Sequence, residues 1–271
     1  MLNIKGKLWS LEQPAVMGIL NVTPDSFYAE SRQTGLSAIF KRIETIIAEG
    51  GAIIDVGGYS TRPDAVPVSP EVEWQRIEPA LTVLRAKYPE TPVSIDTFRA
   101  GLAKRAVEDF GVAMINDISG GTLDDSMFET VAALNVPYVL THFRQTPLIK
   151  EKPFPEDVFL HFTAKLHNLR QLGVNDVILD PGFGFGKTIE QNYALMRHLD
   201  KFSILFDCPL LVGISRKSMV CNLLNCTVEE SLNGTTVLNT YSLLNGANIL
   251  RVHDVKAALE AIKLVSGCRF G

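Results

Sequence analysis

The sequence predicts a (β/α)8 barrel, a closed ring of eight parallel strands joined by outer helices. The chain has 271 residues, and a barrel of this kind needs about 250. A hydrophobic content of 46% is enough for one large core. Short β-rich apolar runs alternate with longer amphipathic stretches, which is typical of parallel strands joined by crossover helices. We therefore expect one domain that covers residues 1–271.

Eight short apolar runs are the predicted strands. They are Val16 to Leu20, Ile53 to Val56, Val93 to Ile95, Ala113 to Ile115, Tyr138 to Leu140, Val177 to Leu179, Leu210 to Val212 and Ile249 to Val252. The stretches between them, with apolar residues three or four positions apart, are predicted helices. Examples are Leu36 to Glu49, Pro70 to Tyr88, Asp124 to Asn135 and Pro155 to Leu172. The opening segment Ile4 to Trp9 stands outside the repeat, and we expect it to form a short strand or hairpin that closes the barrel floor.

Composition excludes several classes of protein. No apolar run reaches the roughly 20 residues of a membrane helix, and the first residues lack the layout of a secretory signal. A net charge of -4 and a pI of about 5.8 argue against general binding to nucleic acids or anionic membranes. The four cysteines have no partners at zinc-ligand spacing, so no structural zinc is expected. We expect a cytoplasmic protein that acts on small molecules.

Polar residues stand where the predicted strands end, and these positions decide what the barrel can bind. They are Asn21, Asp55, Asp96, Asn116, Asp117, His142, Asp180, Ser215, Arg216, Lys217, Arg251 and His253. The active site of such a barrel is built at the C-terminal ends of its strands. One such residue alone would indicate a helix cap or a turn. The whole set, with carboxylates, amides and basic groups, indicates a binding site at the barrel mouth.

The mouth carries the groups that recognise a flat, polar heterocycle. A fused bicyclic pyrimidinone has adjacent donors and acceptors along its edges, and Asp96, Asn116 and Asp180 can satisfy these in pairs. The planar guanidinium of Arg251 can stack on a ring or bind an anion. Lys217 can reach a ring carbonyl or a phosphate.

Two further loops have the composition of an anion site. Residues 21–26 and 60–63 supply hydroxyl groups, amides and an arginine, which suit the oxygens of a pyrophosphate. The glycine-rich loop 180–187 matches neither a P-loop nor a dinucleotide fingerprint. Its Phe185 can cover a flat second substrate, whereas Phe183 fits that role and ordinary packing equally well.

Three of the histidines carry no predicted chemistry. His142 fits a core or loop position better than a catalytic one. His161 and His198 lie on predicted outer helices, and we expect them at the surface.

Seven stretches occur in an order that is typical of one enzyme family. They are VMGILNVTPDSF (16–27), STRP (60–63), SIDT (94–97), IND (115–117), LDPGFGFGK (179–187), SRKS (215–218) and LRVHD (250–254). Together they resemble the dihydropteroate synthases of folate biosynthesis over nearly the whole chain. The resemblance implies that 6-hydroxymethyl-7,8-dihydropterin pyrophosphate and para-aminobenzoate are joined, with magnesium, to give 7,8-dihydropteroate and pyrophosphate. It also implies a homodimer and a target of sulfonamides.

The resemblance assigns roles to residues at the mouth. Pterin binding falls to Asp96, Asn116, Asp180, Lys217 and Arg251, pyrophosphate binding to Thr61, Arg62, Arg251 and His253, aminobenzoate binding to Phe27, Pro63, Phe185, Lys217 and Ser218, and magnesium binding to Asn21. The catalytic set predicted from it is Asp96, Lys217, Arg251 and His253.

The chemistry accounts for these residue types. Displacement of pyrophosphate from a CH₂ group on an electron-rich dihydropterin can pass through a stabilised cation, so departure of the leaving group is the difficult step. Magnesium, Arg62, Arg251 and His253 would neutralise the departing oxygens, and anionic Asp96 would favour positive charge on the pterin. The amine of aminobenzoate is already nucleophilic, and the sequence shows no convincing Ser/His/Asp nucleophile.

Several positions depart from the family's pattern, including the stretch Tyr28 to Arg32. Tyr59 replaces a common glutamate, and Asp64 stands where glycine is usual. Thr141 and Phe143 replace methionines on either side of a histidine. We expect these last two to reshape the wall of the pterin pocket.

Two rival functions share the barrel. A methyltetrahydrofolate-dependent methyltransferase could reuse Asp96, Asn116 and Asp180, but it would not need the anion-binding loops. A non-catalytic pterin-binding paralogue would keep the fold and lose turnover, which the intact ring of polar residues argues against.

Overall fold

The computed structural model describes residues 1–23, 32–60, 66–144 and 154–269. Its strands are β1 (Leu2–Ile4), β2 (Lys7–Trp9), β3 (Ala15–Asn21), β4 (Ile53–Gly57), β5 (Val93–Asp96), β6 (Met114–Asp117), β7 (Tyr138–Thr141), β8 (Val177–Asp180), β9 (Leu211–Val212) and β10 (Ile249–Val252). Its helices are α1 (Arg32–Ala48), α2 (Pro70–Lys87), α3 (Ala100–Phe110), α4 (Met127–Leu134), α5 (Glu156–Gln171), α6 (Ile189–Arg197), α7 (Asp200–Leu205), α8 (Ser218–Leu224), α9 (Leu232–Leu244) and α10 (Val255–Arg269). A 3₁₀ turn at Glu229–Ser231 precedes α9.

Strands β3 to β10 form one parallel sheet that closes on itself. The hydrogen-bonded order is β8-β7-β6-β5-β4-β3-β10-β9. A parallel bridge between Leu179 and Leu210 joins the two ends. The predicted barrel and its eight strands are confirmed, and the predicted helices 36–49, 70–88, 124–135 and 155–172 correspond to α1, α2, α4 and α5.

Alternation along the strands separates two sides of the barrel wall. The inner side carries an apolar layer near the floor, made of Met17, Ile53, Met114, Val139, Ile178, Leu211 and Ile249. The intervening positions, such as Ile54, Ile115 and Leu250, face the helices and belong to the main core. Because side chains alternate with a period of two, the residue two positions after each floor residue also points inward. Five of those positions hold polar residues of the mouth, which are Asp55, Asn116, Thr141, Asp180 and Arg251.

The predicted hairpin at the start of the chain closes the barrel floor. Strands β1 and β2 pair antiparallel around Lys5 and Gly6, which both have positive φ, as a type I′ turn requires. Leu2 and Ile4 are buried in the floor layer. The backbone N–H of Asn3 also donates to Asp176 Oδ2 at 3.2 Å. This prediction is therefore confirmed.

Caps determine where two helices next to the mouth begin. Ser69 accepts a hydrogen bond from the N–H of Val72, and α2 starts with proline, which needs no donor there. Thr188 and Gln191 form a capping box at the start of α6, directly after the glycine-rich loop. Across the described ranges, no helix combines the length and apolar character needed to cross a bilayer.

Candidate active site

A guanidinium group lies at the centre of the mouth. Arg251 Nε donates to Asp55 Oδ2 at 2.6 Å, and its Nη2 donates to Asp96 Oδ2 at 2.5 Å. Asn116 Nδ2 donates to the same Asp55 oxygen at 2.9 Å. These four residues come from β10, β4, β5 and β6, so the network crosses the barrel interior.

Burial controls the ionisation of this network. Asp55 is fully buried, and the side chains of Arg251 and Asp96 are 18% and 16% exposed. Burial raises the pKa of Asp96 to about 7, although Arg251 acts in the opposite direction. Burial alone would lower the pKa of Arg251, but Asp55 and Asp96 outweigh it and raise that pKa. The guanidinium therefore stays charged, whereas the pKa of Asp96 lies close to neutral pH, where its carboxyl group can gain or lose a proton.

The part of the mouth that is predicted to bind the pterin, here called the pterin half, also contains Asp180 and Asn116. They are 6% and 2% exposed, and they point inward from β8 and β6, with β7 between the two strands. Asp180 Oδ1 accepts a hydrogen bond from the N–H of Gly182 at 2.8 Å, which orients the carboxylate. Burial raises the pKa of Asp180, with Lys217 opposing the shift. Together they offer paired amide and carboxylate groups to a heterocycle.

Lys217 lies between the carboxylates and an aromatic ring. Its Nζ donates to the carbonyl of Phe183 and is 4.6 Å from the centroid of the Phe185 ring. Burial lowers the pKa of Lys217 to about 8, against the pull of Asp180. Phe183 is fully buried in the core, whereas Phe185 is half-buried under the ammonium group. Packing is therefore the role of Phe183, and Phe185 is the ring available to a second substrate.

His253 directly follows β10, two residues after Arg251. The Nδ1 atom of His253 is 3.0 Å from Ser215 Oγ. Burial, reinforced by Arg251, lowers the pKa of His253 to about 4. At neutral pH it is a neutral hydrogen-bonding group in the free protein. Arg216 points elsewhere and pairs with Asp254 at 2.8 and 2.9 Å.

Two side-chain oxygens lie next to Gly57, near the predicted magnesium ligand Asn21. Asn21, Gly57 and Asp96 are register partners on β3, β4 and β5. A Cβ atom on Gly57 would lie 3.5 Å from Asn21 Oδ1 and 3.4 Å from Asp96 Oδ2. Mg²⁺ prefers oxygen ligands, keeps several waters and is usually held by one or two protein groups and substrate phosphates. In the ranges that the structure covers, no group of three or more His, Cys, Asp or Glu could form an all-protein metal cage. The donor set suits an ion that is shared with a phosphorylated substrate.

Comparison with known proteins identifies the family. The sequence matches the pterin binding enzyme family over residues 17–253. It is 38% identical over 268 residues to dihydropteroate synthase of Escherichia coli K12, covering 96% of this chain and 94% of the relative. It is 39% identical over 256 residues to dihydropteroate synthase of Clostridium beijerinckii, covering 93% of each. The chain belongs to the dihydropteroate synthase family. It is therefore a transferase of folate biosynthesis.

Solved structures of dihydropteroate synthases share the fold. The Clostridium difficile enzyme, solved in the presence of pteroic acid, has a TM-score of 0.91 at 31% identity and covers 97% of this chain and 99% of its own. The Xanthomonas albilineans enzyme with 4-aminobenzoic acid has a TM-score of 0.91 at 32% identity, covering 99% of this chain and 97% of its own. A Yersinia pestis enzyme was solved with a sulfonamide drug, at a TM-score of 0.89 and 33% identity. This chain has the same kind of barrel.

The remaining residues that were predicted to line the site of this synthase have different positions in the structure. Phe27, Thr61, Arg62 and Pro63 lie outside the described residues. Ser218 is exposed at the start of α8, next to Lys217. Thr141 is buried on the inner side of β7, and its position supports the expected change in the pocket wall. Phe143 instead lies beside Phe185, with 6.2 Å between ring centroids.

Several residues have positions or contacts that the sequence did not predict. Asp117 points outward, where its carboxylate accepts hydrogen bonds from the Tyr138 hydroxyl and from two backbone N–H groups. No role was predicted for Asp55 beyond its position at a strand end. In the structure it accepts a hydrogen bond from Arg251. His161 was expected at the surface, and this expectation is wrong: its ring packs edge-on against His142 at 4.8 Å. His198 is also half-buried, and its Nδ1 lies 2.7 Å from the Ala194 carbonyl.

The buried histidine pair predicts a loss of stability in acid. Burial lowers the pKa of His142, and it lowers that of His161 to about 4. Unfolded histidine has a pKa of about 6.5. Both histidines are therefore neutral above about pH 6.5, and the free energy of unfolding is highest there. It decreases as the pH falls toward 4, by up to about 1.4 kcal/mol per pH unit for each histidine.

Urea unfolding at pH 7, 6 and 5 tests this expectation. The variant His161→Phe takes up about one proton fewer on unfolding in acid. Its unfolding free energy should therefore change less steeply with pH, by about 1 kcal/mol per pH unit. His167 is exposed on the same helix, so His167→Phe is the matched control. Equal slopes for the wild type and both variants would contradict the pKa assignment.

The glycine-rich loop leaves no space for a side chain at Gly182. Gly182 has a φ of +68°, and an added Cβ would lie 2.1 Å from the backbone oxygen of His142. The buried Lys187 holds the same loop by donating to the carbonyls of Gly182 and His142 at 2.7 and 3.0 Å. The loop that carries Phe185 therefore has a fixed path over the mouth.

Gly182→Ala should destabilise the protein, because the clash involves backbone and the φ is unfavourable. We expect a loss of about 2 kcal/mol or more in unfolding free energy, measured by urea denaturation. Gly101→Ala on α3 meets nothing within 4 Å and serves as the control, with a small gain expected. Equal stability of the two variants would show that the loop can move away without cost.

Proposed function

We propose that the barrel mouth joins 6-hydroxymethyl-7,8-dihydropterin pyrophosphate to para-aminobenzoate, with Mg²⁺ bound, and releases 7,8-dihydropteroate and pyrophosphate. The observation that carries the proposal is the inward-facing network of Asp55, Asp96, Asn116 and Arg251 beside Asp180. Structures of related synthases with pteroic acid and 4-aminobenzoic acid support the choice of substrates.

The pterin ring binds in the pterin half. Asp180 and Asn116 pair with the donor and acceptor groups along its edge. Lys217 donates to a ring carbonyl or nitrogen, since its ammonium group already lies close to the Asp180 carboxylate. The ring lies near Arg251, whose guanidinium is held in place by Asp55 and Asp96 and so keeps a defined plane.

The bond that breaks first joins the pterin methylene carbon to the pyrophosphate oxygen. Positive charge then spreads onto the pterin, and anionic Asp96 stabilises it in a site with little water. Arg251 contacts Asp96 and stands two residues before His253, so its guanidinium is proposed to bind the departing pyrophosphate as well. Thr61 and Arg62 are proposed as further pyrophosphate ligands. A bound anion would raise the pKa of His253, and in the protonated ring both nitrogens donate.

Bound Mg²⁺ would neutralise pyrophosphate oxygens and so make pyrophosphate a better leaving group. The proposed protein ligand is Asn21, whose Oδ1 lies next to Gly57. With one amide from the protein, the affinity for the ion depends on the phosphates that the substrate supplies. Magnesium and the pyrophosphate substrate are therefore expected to bind together.

Aminobenzoate completes the reaction. Its neutral amine attacks the methylene carbon, the carbon–nitrogen bond forms, and the amine proton passes to solvent or to pyrophosphate. Phe185 and Pro63 are proposed to contact its ring, with Phe27 and Ser218 at the periphery. Lys217, above the face of Phe185, is within reach of both substrates.

We also propose a homodimer in the cytoplasm. Helices α8 and α9 expose large apolar side chains, including Leu223, Val237 and Leu244 at 62%, 58% and 57%. Monomeric proteins rarely leave a large contiguous apolar patch exposed, so this surface suits an interface between copies. Four cysteines without disulfide bonds fit a reducing compartment. Sedimentation of Val237→Glu should give a monomer if this surface pairs, and an unchanged dimer would exclude it.

The direct test is to mix purified protein, Mg²⁺, the dihydropterin pyrophosphate and labelled para-aminobenzoate. We expect labelled 7,8-dihydropteroate and an equal amount of pyrophosphate. Ligand binding without product would favour the non-catalytic paralogue. Turnover only with methyltetrahydrofolate and a corrinoid acceptor would favour the methyltransferase.

A further inference from the structure

Two cysteines meet at the end of α8, away from the barrel mouth. The helix stops at Asn225, which has a φ of +50°, and the chain then turns back. The N–H groups of Asn225 and Cys226 both donate to the carbonyl of Cys221, the latter at 3.1 Å. In this kind of helix end, the residue whose carbonyl accepts the bond and the residue after the left-handed position have side chains in contact. Here these two residues are Cys221 and Cys226.

The geometry suits a covalent link between Cys221 and Cys226. A direct backbone hydrogen bond keeps their Cα atoms within about 7 Å of one another, from bond lengths alone. Bridged cysteines usually have Cα atoms about 4.4 to 6.8 Å apart. The thiols also interact: burial, with the neighbouring Cys221 thiol, raises the pKa of Cys226. Both side chains are half-buried, so small reagents can reach them.

Among the residues that the structure describes, neither of the other two cysteines has a second cysteine beside it. Cys208 follows α7 and lies 3.7 Å from an Arg170 nitrogen. Cys268 is exposed near the end of α10. The chain therefore contains its own single-thiol controls.

A single short helix joins the cysteine pair to Lys217. The N–H groups of Val220 and Cys221 donate to the carbonyl of Lys217 at 2.9 and 3.3 Å. Helix α8 thus has Lys217 at one end and the cysteine pair at the other. It is packed against α9, where Gly234 would meet Val220 and Leu224 if it carried a Cβ.

We propose that Cys221 and Cys226 form a modification site, a dithiol that small disulfides such as oxidised glutathione convert reversibly to an intramolecular disulfide. One thiolate attacks the small disulfide, forms a mixed disulfide and releases one thiol. The second thiolate then displaces the other small thiol and closes the protein disulfide. Two protein thiols are oxidised and one small disulfide is reduced to two thiols, which take up the two protons. The thiolate is the attacking species, so the rate rises with pH.

Mass spectrometry tests this proposal. The folded protein is incubated with oxidised glutathione at pH 8, quenched by alkylation and cleaved with trypsin. The peptide from Ser218 to Arg251 contains both cysteines of the pair and neither of the others. We expect it to lose two hydrogens and to take up no alkylating agent, and dithiothreitol should reverse the change. Cys268 should carry at most a single glutathione.

Two variants provide the matched controls. In Cys226→Ser, the remaining Cys221 should retain one glutathione, because no second thiol can displace it. Cys268→Ser should leave the loss of two hydrogens unchanged. Two separate glutathiones on the wild-type peptide, or two free thiols there while Cys268 reacts, would overturn the proposal. Equal bridging in urea-unfolded protein would also overturn it, because the helix end would then play no part.

Discussion

We expect Asp96→Asn to fold and to lose most of its turnover. Asparagine keeps the size of the side chain and can still contact Arg251, but it cannot stabilise positive charge on the pterin. Loss of one such electrostatic contact costs about 2 to 4 kcal/mol in the transition state, or roughly 30- to 1,000-fold in kcat/KM. Steady-state kinetics with both substrates varied would measure the loss, and circular dichroism would check the fold.

The pH dependence of activity also tests the role of the Asp96 carboxylate. Because burial raises the pKa of Asp96 to about 7, its anionic form is lost as the pH falls through that value. The wild-type kcat/KM should therefore decline below neutral pH, and Asp96→Asn should lack this limb. Asp176→Asn at the barrel floor is the matched control and should keep normal activity. Near-normal activity of folded Asp96→Asn would refute the proposed role.

The second large effect is expected at Arg251. Arg251→Met leaves Asp55 and Asp96 buried in the interior without their cation. Removing one partner of a buried ion pair typically costs about 3 to 5 kcal/mol of stability. Arg251→Lys keeps the charge but cannot donate to both carboxylates in a fixed plane, so we expect it to fold better and still lose activity. Urea unfolding and kinetics on both variants would measure these effects.

A double variant separates stability from catalysis. Combining Arg251→Met with Asp55→Asn removes one of the unpaired charges, so part of the lost stability should return while activity stays absent. Arg216→Met breaks a partly exposed pair with Asp254 and should cost at most about 1 kcal/mol. If Arg251→Met were as stable as Arg216→Met, the carboxylates would not depend on the guanidinium.

Much of the site could be predicted because strand ends and alternation are local properties. Asp96, Asn116, Asp180 and Arg251 each stand at or next to the end of an apolar strand, and all four point inward in the structure. The same period of two would have placed Asp117 and His142 on the outer side. His161 is three residues after the buried Val158, so helical spacing also indicated its inward position.

The contacts between distant strands could not be predicted. Arg251 and Asp55 are 196 residues apart and lie on strands that are not neighbours in the sheet. Their pairing depends on the curvature of the closed barrel, which no local pattern encodes. The position of Lys217 over Phe185 likewise depends on how the loop after β8 packs against the start of α8. Sequence spacing identifies the participants, and the closed barrel determines their partners.

A crystal structure of the protein with pteroic acid would test the central claim most directly. The pterin ring should lie at the barrel mouth, with its edge within hydrogen-bonding distance of Asp180 and Asn116 and with Lys217 at a ring heteroatom. The benzoate portion should contact Phe185. A pterin bound elsewhere, or bound at the mouth without contact to Asp180, would contradict the account.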